Sequence, residues 1–313
     1  MTEIHVSVPG EGERTFLLFP GQGSQSVGMC QRLDRNFASA RDVLDEASDA
    51  LHLDIRALMW RSTPDTLKRT ENAQPAIVVA SAAAFRVWCE TRSAPPTIAW
   101  GAGHSIGALA AAIACGYLSV ADGARLARRR GELMSTVQAP GAMLAVAVMS
   151  EEARQTCLKI ARSLDIDVAA VNGRHQVVLS GHRDNVAQAK TQLGAKSRLL
   201  EVSNAFHSRL MDPVLPDWDE VLKDTPFHES GVPYLGSASG QVVATAQAVA
   251  GDLRNGLRAP VRWDLVLQQA ARETNGAVLG PGRSLAKLWR SRPSSISLEL
   301  VDDDYHRKGG PVR

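Results

Sequence analysis

One sequence feature constrains the fold of this chain most. It is a predicted buried strand, followed by a serine with a glycine on either side and then by a helix of small residues. Residues 97–103 read TIAWGAG and residues 105–118 read SIGALAAAIACGYL. The first segment predicts a buried strand and the second predicts a helix. The pentapeptide that joins them, GHSIG at residues 103–107, has the G-x-S-x-G spacing of a nucleophile elbow.

In an elbow of this kind the serine hydroxyl is exposed at the start of the helix, so Ser105 is the candidate nucleophile. The backbone N–H of Ile106 would then form half of an oxyanion hole. The alternative is an ordinary capping serine in a glycine-rich turn. The strand on one side and the helix on the other favour the nucleophile.

The elements around the elbow predict a parallel sheet. A strand at residues 15–19 (TFLLF) leads directly into the turn PGQGSQSVG, and helical patterns follow at residues 38–51 and 76–89. Alternating strands and helices are typical of α/β folds. We therefore predict a large domain like that of α/β-hydrolases, with a parallel sheet.

A smaller unit interrupts this pattern. Its predicted order is strand, helix, strand, strand, helix, strand, at residues 142–148, 151–163, 167–171, 176–180, 184–193 and 198–202. That order is the ferredoxin-like split motif. We predict an inserted ferredoxin-like subdomain at 139–202, with the large catalytic domain at 1–138 and 203–313.

Composition excludes several function classes. The formal net charge is +2, which predicts no nucleic-acid partner, and no apolar run is long enough for a membrane span. The four cysteines lack metal-ligand spacing and disulfide density, so we expect no metal site and a reducing compartment. The N-terminus does not resemble a signal peptide, which predicts a cytoplasmic protein.

A nucleophilic serine needs a base, and His207 is the best candidate by position. It lies in SNAFHSRLMDP, where the chain returns to the large domain. His104 adjoins Ser105 and is expected to point away from it. The other histidines lie in tails, in the small subdomain or outside any motif. Without the serine, a structural histidine would be the better interpretation of His207.

Two further positions are candidate binding groups. Gln22 lies between glycines in FPGQG, a turn whose backbone N–H can approach a ligand and serve as a second oxyanion donor. Arg130 ends the basic run RLARRR, in which Arg125, Arg128 and Arg129 are expected to be solvated. An inward Arg130 would hold a carboxylate through two hydrogen bonds.

Together these segments resemble one family, the malonyl-coenzyme A:acyl carrier protein transacylases and the related acyltransferase domains of polyketide synthases. The resemblance covers about residues 15–300. Its motifs occur in the order LFPGQGSQSVGM, AQPAI, GHSIG, RRGELM, VNGRHQVVLSG, NAFHS, RAPVRW and GPGRSL.

The resemblance implies a catalytic dyad of Ser105 and His207. In the family a backbone carbonyl orients the histidine, from a segment that matches residues 254–257. This predicts Asn255 or Gly256 as the residue that supplies the carbonyl.

It also implies the roles of the binding groups. The amides of Gln22 and Ile106 would form the oxyanion hole, and Arg130 would pair with the free carboxylate of a malonyl-type substrate. Gln74 matches a glutamine near the pocket. Phe206, in NAFHS, would crowd the space that an α-methyl group needs.

The implied reaction is a ping-pong transfer from acyl-coenzyme A to the phosphopantetheine thiol of an acyl carrier protein, with no bound cofactor. Some members of the family move larger acyl or aminoacyl groups between two carrier proteins, and RGELM also resembles the acyltransferase subunit of malonate decarboxylase. Ala108 stands where the family often has glutamate, and Ser135 where glutamine is common.

The sequence leaves two rival functions open, and it predicts the oligomeric state and the docking surface for the carrier protein. A thioesterase or other hydrolase would need a triad acid between Ser105 and His207, and a non-catalytic scaffold would not need either residue. We expect a monomer. Basic residues at the rim of the cleft would guide the carrier protein, with Arg174, Arg283, Lys287 and Arg290 as candidates.

Overall fold

Strands and helices follow one another through most of the computed structural model, which describes residues 14–290 and 296–302. The strands of these residues are β1 (Thr15–Phe19), β2 (Ile98–Gly103), β3 (Gly141–Ala147), β4 (Asp167–Val171), β5 (Gln176–His182), β6 (Ser197–Leu199), β7 (Tyr234–Leu235), β8 (Val242–Val243), β9 (Asn275–Leu279) and β10 (Ser297–Val301). The helices are α1 (Gln31–Asn36), α2 (Ala38–Leu51), α3 (Ile55–Trp60), α4 (Pro64–Lys68), α5 (Thr70–Glu90), α6 (Gly107–Ala114), α7 (Val120–Ser135), α8 (Glu151–Ser163), α9 (Arg183–Leu193), α10 (Leu215–Lys223), α11 (Ala246–Asn255), α12 (Trp263–Ala270) and α13 (Ser284–Arg290).

The larger sheet has six strands in the order β10-β9-β1-β2-β7-β8, and all its pairs are parallel except β7–β8. Phe19 at the end of β1 is level with Gly103 at the end of β2. Because parallel strands end at the same edge of a sheet, the glycine-rich turn after β1 lies beside the GHSIG turn after β2. The predicted α/β fold with a parallel sheet is confirmed.

The smaller sheet is antiparallel, with the order β4-β5-β3-β6. Its apolar face packs on α8 and α9 through fully buried residues such as Leu144, Val177, Leu179 and Val186. The strand order and the two helices are those of the predicted ferredoxin-like motif. The domain boundaries at residues 138/139 and 202/203 stay a prediction.

A side-chain cap explains why α8 begins where the sequence predicts. Ser150 accepts the N–H of Ala153 at the start of α8, and two glutamates occupy the first turn. Both α2 and α8 have the predicted bounds.

Helix α5 begins six residues earlier than predicted and includes a proline, Pro75. Proline has no N–H to donate to the carbonyl four residues back, which is that of Glu71. The Arg128 guanidinium donates to this carbonyl instead, at 2.9 Å, and also bonds to Asn72 and Glu132. The expectation that Arg128 is merely solvated is therefore wrong.

Helix α6 is shorter than predicted. It begins at Gly107, because Ser105 has a left-handed backbone with φ of 53°, and it ends before Gly116, with φ of 80°. Strand β6 is also shorter than predicted, three residues in place of five. In the part of the chain that the structure describes, no helix is long and apolar enough to cross a membrane.

Candidate active site

The GHSIG turn is packed so closely that its glycines are required. A Cβ on Gly107 would lie 2.4 Å from the carbonyl oxygen of Phe19, and one on Gly103 would lie 1.9 Å from the carbonyl carbon of Gly107. Both distances are far below van der Waals contact. The flanking glycines therefore let the strand, the turn and the helix meet, with Ser105 at the apex in a left-handed conformation that a non-glycine residue rarely adopts.

Ser105 and His207 are brought together although 102 positions separate them in the sequence. Ser105 Oγ lies 2.7 Å from His207 Nε2, and His207 Nδ1 lies 3.0 Å from the carbonyl oxygen of Ala259. A carbonyl only accepts, so Nδ1 carries the hydrogen and Nε2 is free to accept the serine proton. This is the hydrogen-bond geometry of a nucleophile and its base.

The carbonyl that contacts His207 corrects the prediction of Asn255 or Gly256. The Asn255 carbonyl accepts the N–H groups of Arg258 and Ala259, which closes the turn after α11. The Gly256 carbonyl accepts a hydrogen bond from Arg130. Pro260 carries the signal that was missed, because a residue before proline is extended and leaves its carbonyl outside the helix.

His207 is buried, and burial lowers its pKa to about 3, with further lowering by the charges of Arg130 and His104. The hydrogen bond to Ala259 opposes this shift. An imidazole with such a pKa is neutral at neutral pH, so it is available to accept a proton from Ser105.

Two backbone N–H groups beside the serine have no acceptor among the described residues, those of Gln22 and Ile106. The two turns touch, since a Cβ on Gly21 would lie 2.5 Å from the carbonyl oxygen of His104. The Gln22 side chain donates to Thr70 Oγ1 at 3.3 Å, which holds the turn from the other side. An unpaired N–H pair next to a nucleophile is the composition of an oxyanion hole.

Arg130 points inward from α7 and is 5% exposed. Its guanidinium donates to Gln74 Oε1 at 2.9 Å and to the Gly256 carbonyl at 3.3 Å, and among the described residues it has no carboxylate partner. Burial lowers the pKa of Arg130 to about 10, so it stays charged at neutral pH. A buried cation held only by neutral oxygens favours an anionic ligand.

Ser105 and Arg130 line the same small cavity, whose volume is about 10 Å³. Its other lining residues are Ile106, Ala108, Leu109, Trp218, Ser237, Asp252, Leu253 and Gly256. Phe206 is buried beside His207 but does not line this cavity, and its role as a steric selector stays a prediction.

The basic residues expected at the rim have different surroundings. Arg174, in the turn between β4 and β5, and Lys287 on α13 are exposed, while Arg283 approaches Asp302 at 3.7 Å. The side chain of Arg290 lies outside the described residues. Within residues 14–290 and 296–302 no cluster of three potential metal ligands occurs.

Comparison with known proteins gives one consistent result. The family model described as acyl transferase domain matches residues 15–280. The chain is 33% identical to the malonyl CoA-acyl carrier protein transacylase of Bacillus subtilis strain 168, over 91% of this chain and 92% of that protein. It is 35% identical to the mycoketide-CoA synthase of Mycobacterium tuberculosis over 90% of this chain, which is only 7% of that protein's length.

Solved structures are similar over almost the whole chain. FabD from Acinetobacter baumannii superposes with a TM-score of 0.85 at 29% identity, covering 92% of this chain and 94% of that one. A chain of the complex described as PlMCAT:AntF (holo), a type II PKS acyl-carrier protein with its malonyl-transacylase, gives 0.84 at 29% identity, covering 92% and 96%.

Proposed function

The chain belongs to the acyl transferase domain family, and from this premise we propose that it moves a malonyl group from coenzyme A to the phosphopantetheine thiol of an acyl carrier protein. The observation that carries the proposal is Arg130, a buried cation that has no carboxylate partner in the described part of the chain and lies in the same cavity as Ser105. A malonyl group has a thioester at one end for the serine and a carboxylate at the other for the arginine. The similarity to transacylases that are named for this substrate supports the same assignment.

In the first half-reaction Ser105 Oγ attacks the thioester carbonyl while His207 Nε2 takes its proton. The negative charge that develops on the carbonyl oxygen is stabilised by the N–H groups of Gln22 and Ile106. The carbon–sulfur bond then breaks, and the coenzyme A sulfur leaves with the proton from His207. A malonyl ester of Ser105 remains.

In the second half-reaction the carrier protein's thiol is the nucleophile and the Ser105 oxygen is the leaving group. His207 takes the proton of the carrier protein's thiol, and the sulfur attacks the ester carbonyl. The Ser105 oxygen leaves and recovers its proton from His207. The Ala259 carbonyl holds the same tautomer of His207 through both halves and favours the imidazolium that forms in each.

The site favours transfer of a carboxylated acyl group over the rival functions. The same cavity is lined by the nucleophile Ser105 and the cation Arg130, which suits an acyl group that carries its own carboxylate. The partner of His207 is a carbonyl and not a triad carboxylate, which argues against the hydrolase. No cofactor is needed for either half-reaction. A monomeric state and a cytoplasmic location stay predictions.

The test is intact-mass analysis after brief exposure to malonyl-coenzyme A, followed by addition of holo acyl carrier protein. The wild-type enzyme is expected to gain the mass of one malonyl group and to lose it when the carrier protein is added. Ser105→Ala is expected to gain nothing while it keeps its fold, because the hydroxyl contributes chemistry and little packing. A malonyl adduct on another residue of this variant would contradict the assignment.

A further inference from the structure

Strand β4 of the small subdomain and the residue after it contact three segments of the candidate site, those that carry Ser105, His207 and the Ala259 carbonyl. In the smaller sheet β4 pairs only with β5, so its other edge is open to the large domain. Backbone groups of β4 make the first contact, the Asp167 carboxylate makes the second, and the side chain of Asn172 makes the third.

The first contact is with the segment that carries the Ala259 carbonyl. Val261, two residues further on, donates its N–H to the Ala169 carbonyl and accepts from the Val171 N–H, both at 2.9 Å. These two bonds make a parallel bridge between β4 and the segment. The position of the carbonyl that contacts His207 is therefore set by the strand.

The second contact is with the segment that carries His207. The Asp167 carboxylate accepts the backbone N–H of Arg209 at 2.8 Å and two N–H groups of its guanidinium, at 3.1 and 2.9 Å. A bond to the main chain fixes the backbone itself, two residues after His207. Arg209 also pairs with Asp165, just before the strand.

The third contact is with the nucleophile turn. Asn172, which follows β4, accepts a hydrogen bond on Oδ1 from His104 Nε2 at 2.9 Å. Asn172 is held in turn by Gln176: its backbone N–H donates to the Gln176 carbonyl at 2.9 Å, and its side-chain Nδ2 donates to Gln176 Oε1 at 2.8 Å. His104 immediately precedes Ser105, so this bond holds the turn next to the nucleophile.

From these contacts we infer that β4 is the positioning element of the reaction, and that Asp167 and Asn172 are its positioning residues. The inference rests on the proposed function. Ser105 and His207 both have left-handed backbones, with φ of 53° and 55°, and such conformations persist only when the surroundings hold them. Loss of either contact is expected to loosen the serine–histidine geometry without removing a reacting group.

The experiment compares Asp167→Ala and Asn172→Leu with Asp184→Ala, an exposed aspartate on α9 of the same subdomain. The first-order rate of Ser105 acylation by malonyl-coenzyme A, the KM and the melting temperature are measured for each. A positioning role predicts a fall of about ten- to hundredfold in the rate, while KM stays within about twofold. Asp184→Ala is expected to react like the wild-type enzyme.

Two further measurements separate positioning from loss of folded protein. The acid limb of the acylation pH profile is expected to move to higher pH in both variants, because a loosened His207 is less buried. Asn172→Asp keeps the accepting oxygen and is expected to restore most of the rate. Rates that follow only the folded fraction, an unmoved pH profile, or an aspartate variant as slow as the leucine variant would overturn the inference.

The wild-type reaction in the same assay tests the proposed function separately. If the wild-type enzyme formed no malonyl-serine, the proposed function would be wrong, and labelling by a fluorophosphonate would still test β4. In that reaction the Ser105 oxygen bonds to phosphorus, fluoride leaves and His207 takes the proton. Equal labelling rates in the wild-type enzyme and both variants would overturn the positioning role.

Discussion

Arg130 and His207 are coupled through their charges, because the arginine lowers the pKa of the histidine and both are buried. Burial is the largest cause of the low pKa of His207, and the charge of Arg130 lowers it further. A malonyl carboxylate bound to Arg130 would offset the part that comes from the arginine. The malonyl carboxylate would thus also raise the pKa of His207, the base that takes the proton of Ser105.

Arg130→Ala is expected to slow malonyl transfer much more than acetyl transfer. A buried ion pair that loses one partner costs about 3–5 kcal/mol, which corresponds to at least about a hundredfold in rate if the bond is made in the transition state. Rates with malonyl- and acetyl-coenzyme A measure the difference. Arg129→Ala, on the exposed side of the same helix, is the control. An equal loss with both substrates would show that Arg130 is structural.

The rate constant kcat/KM for acylation is expected to hold from pH 7 to about pH 5, where an ordinary histidine with a pKa near 6.5 loses most of its base form. The reason is that burial lowers the pKa of His207 to about 3.

The same lowered pKa makes the folded protein less stable at acid pH. Between these two pKa values the unfolded chain binds a proton and the folded chain does not, so the free energy of unfolding falls as pH drops below 6.5. Stopped-flow acylation and denaturant unfolding measure both, and a loss of rate centred near pH 6.5 would contradict the shift.

The sequence predicts the residues that we propose to react or bind, but not those that hold them in place. Motifs point to Ser105, Arg130 and His207 because the proposed chemistry needs those residue types. Ala259 acts through a carbonyl, which every residue has, and only the following proline marks it. Asp167 and Asn172 act across the two subdomains, and no short-range pattern reports such contacts.

At the scale of elements, α5 shows how a local rule is overridden by a distant residue. Pro75 predicts a helix that begins after it, and the structure begins the helix at Thr70 because Arg128 supplies the missing donor. The apolar spacing of α2 and the Ser150 cap of α8 are local signals, and both helices are predicted to the residue.

Arg128→Ala is expected to reduce the free energy of unfolding by about 1–3 kcal/mol, since it leaves the Glu71 carbonyl without its donor. Arg129→Ala removes the same type of side chain from the next position, where exposed Arg129 pairs with half-buried Glu132, and is expected to change little. Urea denaturation measures both variants. If the two lost equal stability, the proline would be accommodated in some other way.

At the scale of the molecule, two exposed basic residues from different subdomains are expected to guide the acidic carrier protein. Arg174→Glu together with Lys287→Glu should raise the apparent KM for the carrier protein, strongly at low salt and less at high salt. Acylation from coenzyme A should be unchanged. Lys159→Glu with Lys223→Glu, also exposed, is the matched control. If both half-reactions slowed alike, this docking surface would be wrong.

The overall architecture is predicted well because the sequence shows two separate orders of strands and helices. Parallel strands with intervening helices indicate the large domain, and the split motif indicates the insertion. These patterns do not specify the order of strands in the larger sheet. There β1 pairs with both β2 and β9, and β9 is far away in the sequence.

That strand order has a consequence for synthesis on the ribosome. The smaller sheet is complete once Leu199 has emerged, whereas β1 keeps one edge unpaired until Asn275–Leu279 arrives as β9. At ordinary translation rates this interval lasts roughly 4–15 s. During that time an apolar strand, TFLLF, presents free backbone groups of the kind that recruit chaperones or pair with neighbouring nascent chains. The strand β1, first in order among the described strands, is thus among the last to be protected.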